Sequence, residues 1–475
     1  MTDTVAHTRL LFAPGDLRGA EAIDDVALVS ALGDVESAWI NAQAHAGLIS
    51  ADSRAEAVAG IEATTRSLLA DAAELEMLAA DAESGGNPVI PFLAAVRSRL
   101  SHDASRALHK GLTSQDVMDS ALGLLMARVA RQTHARLDVI CELLVGLSDA
   151  HADTVCLART LTQPALPTTF GLKAAAWAAE VQEVQSLTPR IDYVQIGGAA
   201  GTRAAIREFA GPQTEALLSQ FHVQLRGPDA ALTSVPVPWH TDRVRVLNWA
   251  SHLTQCVTVG ASIARDVLIG TRPEVGELRL ASTGGSSAMP QKVNPTSAVL
   301  LHRNGMRAPG LMATLTSTAA EAIEERSDGA WHAEWPALSE LMGLAVSSLI
   351  MLQTMVEGLS VNPEAMRTNV DTASPGIFAE RLSIAFGDRL TKAEIQEITA
   401  GGSDPVSALK AALEKHPATG DDTTGGGNPA EVDLDGFFSP ENYLGDAEDI
   451  RQTIIDTING PEPVSPGLLP FASRK

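Results

Sequence analysis

Aromatic residues are scarce in this chain: 4% of 475 residues, with only two tyrosines. Strands favour aromatic and β-branched side chains. Alanine fills much of the 45% apolar share and is the strongest helix former, so the shortage argues against a β-rich fold. Cysteine is sparse too, at Cys141, Cys156 and Cys256. An odd number of widely spaced cysteines with no CxxC pair excludes a disulfide framework and predicts a reducing, cytoplasmic setting. Bases are outnumbered by acids, 35 to 58, for a net charge of −23. So negative a surface disfavours nucleic acid and anionic membrane as partners. No basic stretch precedes an apolar run at the N-terminus, so no signal peptide is expected. The histidines lack metal-ligand spacing; neither a metal nor a cofactor is expected.

What is present is helical. The length predicts two to four structural units, with a core large enough to need no staples. Short helices are expected over 24–44 and 55–80, with Gly85-Gly86-Asn87-Pro88 as a break. Longer ones are expected over 114–149, 168–186, 241–269 and 295–321, punctuated by glycine and proline. Nothing there alternates with period two, so strands are not expected to matter. The division is into an N-terminal helical domain (1–112), a central long-helix bundle (113–357) and a small C-terminal helical domain (358–475). The apolar run 341–356 tempts a membrane reading. It is shorter than the roughly 20 residues a span needs and carries Ser347, Ser348 and Gln353, so a helix buried in a bundle is expected. The Gly/Thr/Asp-rich 416–432 reads as a linker or mobile loop. No solenoid repeat is present.

Three segments carry chemistry. GGSSAMPQKVNP (284–295) cannot be helical, with paired glycines and serines before a proline. As a loop it gathers two hydroxyls, Lys292 and Asn294 within nine residues, which suits a lid that exchanges a proton or, more plainly, a surface turn. In HKGLTSQD (109–116), Thr113 reads as an N-cap with Asp116 three residues on. A helix start offers free amide donors to an anion, and simple capping is the alternative. ARTLTQ (158–163) is the third. GGAAGT (197–202) lacks the GK[ST] of a phosphate loop. Trp331 and Trp335 read as packing, and His332 and Glu334 between them as polar and exposed.

GSSAMPQKVNP resembles the signature loop of the fumarase/aspartase superfamily, and the other two segments resemble that family's further signature regions. TFGLKAAAW (169–177), GGAAGT, AWHAEWPAL (330–338) and PENYLG (440–445) extend the resemblance from about residue 9 to 456. The stretch 421–428 matches no family feature. The resemblance implies an all-α fold with a central long-helix bundle, and a homotetramer whose sites are shared between subunits. It implies Ser286 as catalytic base, with Lys292 and Asn294 holding substrate carboxylate and the loop. Arg159, Thr160 and Gln163 match the family's GRTHxQ region, but the histidine is absent: residue 161 is leucine.

That absence has a chemical reading. An amine leaving group needs a general acid, whereas a carboxylate is stable as an anion at neutral pH. One branch of the superfamily adds a substrate carboxylate across the substrate's own double bond to close a lactone, and it too has an apolar residue there. The expectation is therefore a cycloisomerase of aromatic-compound breakdown acting on a small tricarboxylate. Arg159, Lys292 and the amides at Thr113 and Ser114 are the expected carboxylate partners. His109 is a possible partner for Ser286, and Lys110, Arg203 and Arg303 are secondary candidates. Expulsion of another good anion, such as nitrite from nitrosuccinate, fits equally, and a non-enzymatic scaffold is the remaining alternative.

Overall fold

The computed structural model describes residues 10–189, 194–226, 237–281, 284–285, 288–289, 291–402, 404–417 and 433–460. Five helices open the chain: α1 (Asp25–His45), α2 (Ala51–Ala70), α3 (Ala72–Gly85), α4 (Val89–Arg97) and α5 (His102–Ala107). Then follow α6 (Ser114–Ala150), β1 (Val155–Thr160), β2 (Gln163–Thr169), α7 (Phe170–Ser186), α8 (Ala204–Ala210), α9 (Thr214–Arg226) and α10 (Val244–Gly270). After β3 (Leu278–Leu280) come α11 (Thr296–Ala320), α12 (Ala330–Glu357) and β4 (Leu359–Val361). The chain closes with α13 (Pro363–Ala373), α14 (Ala379–Phe386), α15 (Lys392–Thr399), α16 (Pro405–Lys415) and α17 (Ala447–Asn459). The helical reading holds, with one correction inside 55–80. Asp71 is extended there and ends one helix, while its carboxylate accepts the Ala73 N–H at 2.8 Å and starts the next.

Contacts gather the chain into two compact units, each discontinuous in sequence. This partition differs from the three consecutive segments drawn on the sequence. The first unit takes residues up to 136 with 187–262 and 300–351. Its core is built on α1, where Trp39 is fully buried and meets Phe221 edge-on at 5.2 Å. The Trp39 indole N–H donates to the Lys110 carbonyl at 3.0 Å. Val117, Ala121, Leu125 and Val129 of α6 face inward at every fourth position, the spacing that aligns side chains on one helix face. α12 is long and apolar enough to cross a membrane, yet most of it is buried by protein. Its polar breaks are satisfied inside: Ser347 donates to the Leu344 carbonyl, and Ser348 accepts from Asn304 at 2.9 Å.

The second unit takes 137–186, 263–299 and residues from 352 onward. Strands matter here, contrary to expectation. β1 and β2 form an antiparallel hairpin whose tip is Leu161-Thr162, with Thr160 opposite Gln163. Pro164 and Pro167 and a register shift between Leu157 and Arg159 break the alternation that would have announced it. β3 pairs antiparallel with β4. A smaller cluster on Phe386, Leu409 and Phe437 packs α14 to α16. Of the proposed linker, 418–432 lies outside the described residues. All three cysteines are free and buried, and burial pushes the thiols of Cys141 up to about 11 and Cys256 to about 12.

One buried group in the first unit makes stability depend on pH. His252 of α10 stacks on Trp249, with Nε2 3.6 Å from Cys256 Sγ. Its Nδ1 is buried without a hydrogen-bond partner among the described residues. Burial first, then the charge of His134, lowers its pKa to about 4. The unfolded chain takes up this proton near pH 6.5, the folded one near 4, so stability is full above 6.5 and falls as pH drops towards 4. About 2–3 kcal/mol should be lost by pH 4.5. Denaturant midpoints at pH 7.5 and 4.5 measure this. His252→Phe should remove that share of the slope, and an unchanged slope in the variant refutes the assignment.

Candidate active site

The loop 284–295 in the second unit is clasped at its base. Gly284 N–H donates to the Asn294 carbonyl at 2.9 Å and Asn294 N–H returns to the Gly284 carbonyl at 3.1 Å. A Cβ on Gly284 would stand 2.1 Å from Thr296 Oγ1, so only glycine closes the loop this way. The Asn294 side chain donates to the Gly285 carbonyl at 3.5 Å. Lys292 is exposed, its N–H bonded to the Met289 carbonyl at 3.0 Å. Among the described residues no carboxylate pairs with its ammonium. Ser286 and Ser287 lie outside the described residues.

Arg159 is not where a free substrate clamp would be. It makes a two-pronged pair with Glu277, Nη2–Oε1 at 2.6 Å and Nη1–Oε2 at 3.1 Å, and Asn369 donates to the same carboxylate at 2.7 Å. With the guanidinium fork already filled by a buried carboxylate, Arg159 anchors the hairpin instead. Thr160 and Gln163 are exposed at the hairpin end, where Gln163 Nε2 donates to Thr162 Oγ1 at 3.2 Å. Leu161 is 96% exposed. Leu161 and Thr162 have φ of 47° and 74°, the signature of a two-residue turn normally given to Asn-Gly. For a leucine and a β-branched threonine this conformation stores strain of order 1–3 kcal/mol each, and strain of this kind concentrates at functional sites.

In the first unit, α6 starts at Ser114 as expected, and Asp116 takes the Thr113 N–H as a capping acid three residues on should, but it does more than cap. Asp116 is buried and collects four donors: the N–H groups of Thr113 (3.0 Å), Gly197 (2.7 Å) and Gly198 (2.8 Å), and His240 Nε2 at 2.9 Å. The Thr113 amide is therefore spent, which removes it from the expected carboxylate partners. The Ser114 amide has no acceptor among the described residues. GGAAGT binds an anion after all, the chain's own Asp116. The Thr113 hydroxyl accepts from Arg326 Nη1 at 2.8 Å, and Arg326 Nη2 donates to the Ala199 carbonyl at 3.1 Å.

Sequence reasoning missed Arg326. Among the described residues no carboxylate pairs with it, so it sets an uncompensated cation beside the helix start. Its signal was weak, one arginine in a charged run (EERSD). Of the secondary candidates, Arg303 is paired with a carboxylate, Asp16, at 2.8 Å, while Lys110 Nζ lies over the Phe209 ring at 4.6 Å and Arg203 Nε donates to the Ile196 carbonyl at 2.9 Å. His109 faces Glu36, with Nδ1 2.6 Å from a fully buried carboxylate, which fixes its ring.

Beneath the helix start lies a dry ion cluster. Arg243 lies between Asp119 (2.9 Å) and Glu334, and Trp331 Nε1 donates to Asp119 at 3.0 Å. Burial opposes the Arg243 charge, but the two carboxylates outweigh it and push its pKa up. Glu334, expected to be exposed, is 1% exposed. Trp331 and Trp335 pack edge-on at 4.5 Å, as expected of packing residues.

Residues 19–310 match the family model described as Lyase. The chain is 34% identical over 428 residues to the 3-carboxy-cis,cis-muconate cycloisomerase of Pseudomonas aeruginosa, covering 87% of this chain and 88% of the relative. It is 32% identical over 454 residues to the nitrosuccinate lyase of Streptomyces davaonensis, covering 94% and 93%. Among solved structures, the 3-carboxy-cis,cis-muconate lactonizing enzyme from Pseudomonas putida superimposes with a TM-score of 0.80 at 29% identity, covering 95% of this chain and 99% of that one.

Proposed function

The chain belongs to this lyase family, within the fumarase/aspartase superfamily, and on that premise we propose that it acts as a 3-carboxy-cis,cis-muconate cycloisomerase, an intramolecular lyase. The observation that carries this reading is the 34% identity, over 87% of the chain, to a 3-carboxy-cis,cis-muconate cycloisomerase. Leu161, apolar and presented at a strained hairpin tip, agrees with it, because amine-releasing relatives of the superfamily carry a proton-donating histidine there. In the lactone-forming direction a substrate carboxylate oxygen forms the new C–O bond. The electron pair of the double bond moves onto a neighbouring carboxylate as an enolate-like species, and a proton arrives at carbon. Ser286 delivers that proton and removes it in reverse. A serine hydroxyl is too weak a base in water, so Lys292 and the loop amides must stabilise its alkoxide. Within the first unit, Arg326 and the Ser114 amide, rather than the Thr113 amide, are the candidates to take a substrate carboxylate.

Leu161 and Lys292 both face solvent in one chain, which supports a site completed by other copies. We expect a homotetramer of D2 symmetry and about 200 kDa, from a chain of 49.7 kDa. Light scattering that finds a fully active monomer refutes it. Loss of muconate absorbance in the ultraviolet tests the reaction. The relative named nitrosuccinate lyase, matched over 94% of this chain, motivates the second reading, and release of nitrite from nitrosuccinate without muconate turnover would establish it.

Leu161→His tests the reason for the choice. With no leaving group to protonate, an imidazole against the substrate's apolar edge leaves a polar group unpaired, at about 1–3 kcal/mol. Cycloisomerisation should slow by roughly five- to a hundredfold. Leu161→Met keeps volume and apolarity and should be tolerated. Initial rates at matched protein concentration decide it, and a histidine variant faster than wild type would mean protonation was limiting.

A further inference from the structure

We infer that the second unit carries a separate binding site for a flat organic dicarboxylate, in the cleft between the β1–β2 hairpin, α7 and the end of α10. The cleft has a volume of about 370 Å³, within the usual range for small-molecule sites. Its walls are of two kinds. Phe170, Trp177, Ile269 and Leu278 form an apolar side, while Arg159, Lys173, Arg265 and Arg272 bring four positive charges against Asp266 and Glu277. Four cations against two acids leave a lining of net +2 in a chain of net −23.

Both acids are already engaged. Glu277 holds Arg159, and Asp266 accepts the Trp177 indole N–H at 3.0 Å. Lys173 is half-buried, Arg272 stands at the exposed rim, and among the described residues neither is in an ion pair or a side-chain hydrogen bond. Two uncompensated cations in a concave, partly apolar site favour a ligand that brings two negative charges and an apolar body. A planar unsaturated or aromatic skeleton fits the Phe170 and Trp177 side.

The site reaches the hairpin tip, because Thr162 is part of its lining and bonds Gln163. Occupancy would therefore stiffen the turn that presents Leu161, making this an effector site. It is independent of which substrate the enzyme turns over.

Phthalate is a suitable probe: an aromatic dicarboxylate that binds where Trp177 reports. Titrated into the whole enzyme at constant ionic strength, it should quench tryptophan fluorescence with a dissociation constant of about 1 mM or tighter. Lys173→Met and Arg272→Met should each weaken that constant by roughly tenfold or more, measured in parallel by calorimetry, and Trp177→Phe should abolish the quench. Lys292→Ala should leave binding intact, which separates this cleft from the serine loop. No binding up to about 10 mM, wild-type affinity in the two methionine variants, or a quench that survives Trp177→Phe overturns the proposal. So does binding lost in Lys292→Ala but kept in Lys173→Met, which would place phthalate at the loop instead.

Discussion

Ser286→Ala is expected to fold with an unchanged circular dichroism spectrum and to lose at least about a hundredfold in kcat, the usual order for removing a proton-transfer group. The expectation rests on the loop that carries residue 286. Its base is closed by reciprocal Gly284–Asn294 backbone hydrogen bonds. Lys292, unpaired with any carboxylate among the described residues, is a positive charge on the same loop, six positions along in sequence. Alanine removes only the hydroxyl, so the loss should appear in turnover more than in KM. Ser287→Ala should cost far less. Rates of muconate absorbance loss for both variants settle the matter, and near wild-type turnover in a folded Ser286→Ala enzyme removes Ser286 from the mechanism.

Asp119→Ala should be the most destabilising single change in the first unit, at about 3–5 kcal/mol. Asp119 is fully buried and accepts from both terminal nitrogens of Arg243, from Trp331 and from Gln115 at 3.1 Å. Its removal leaves Arg243 with Glu334 alone and strands an indole and an amide donor in a dry core. Asp435→Ala is the control. Its pair with Lys410 is exposed on both sides at 2.7 Å, and exposed pairs contribute about 0–1 kcal/mol. Denaturant midpoints at matched protein concentration compare the two. A shift in Asp119→Ala no larger than in Asp435→Ala would mean the cluster contributes nothing to stability.

The corrections share a cause. Arg159 looked like a substrate cation because its local segment matches a substrate-binding region. Its charge is taken up by Glu277, 118 positions along the chain, and no local pattern encodes that distance. Glu334 looked exposed because it sits between a histidine and two tryptophans on a helix. Arg243, just ahead of α10, makes the inward face of that turn the polar one. The β1–β2 hairpin escaped notice because its turn residues are Leu161-Thr162. Only the surrounding structure holds such residues at positive φ.

The chain's own composition and spacing determined the helical architecture. Alanine-rich stretches with apolar residues three and four apart commit to helices whatever they later pack against, and the Gly-Gly-Ser-Ser…Pro loop cannot join them. The identity of residue 161 likewise supports the proposed class of leaving group, because a leucine cannot donate a proton in any fold. Tertiary structure alone decided which charges remain available. Arg159 and Arg303 are neutralised by carboxylates remote in sequence, while Arg326, Lys173 and Arg272 have no carboxylate partner among the described residues. Charge availability depends on which side chains meet after folding, and that is a property of packing between distant segments rather than of any one segment.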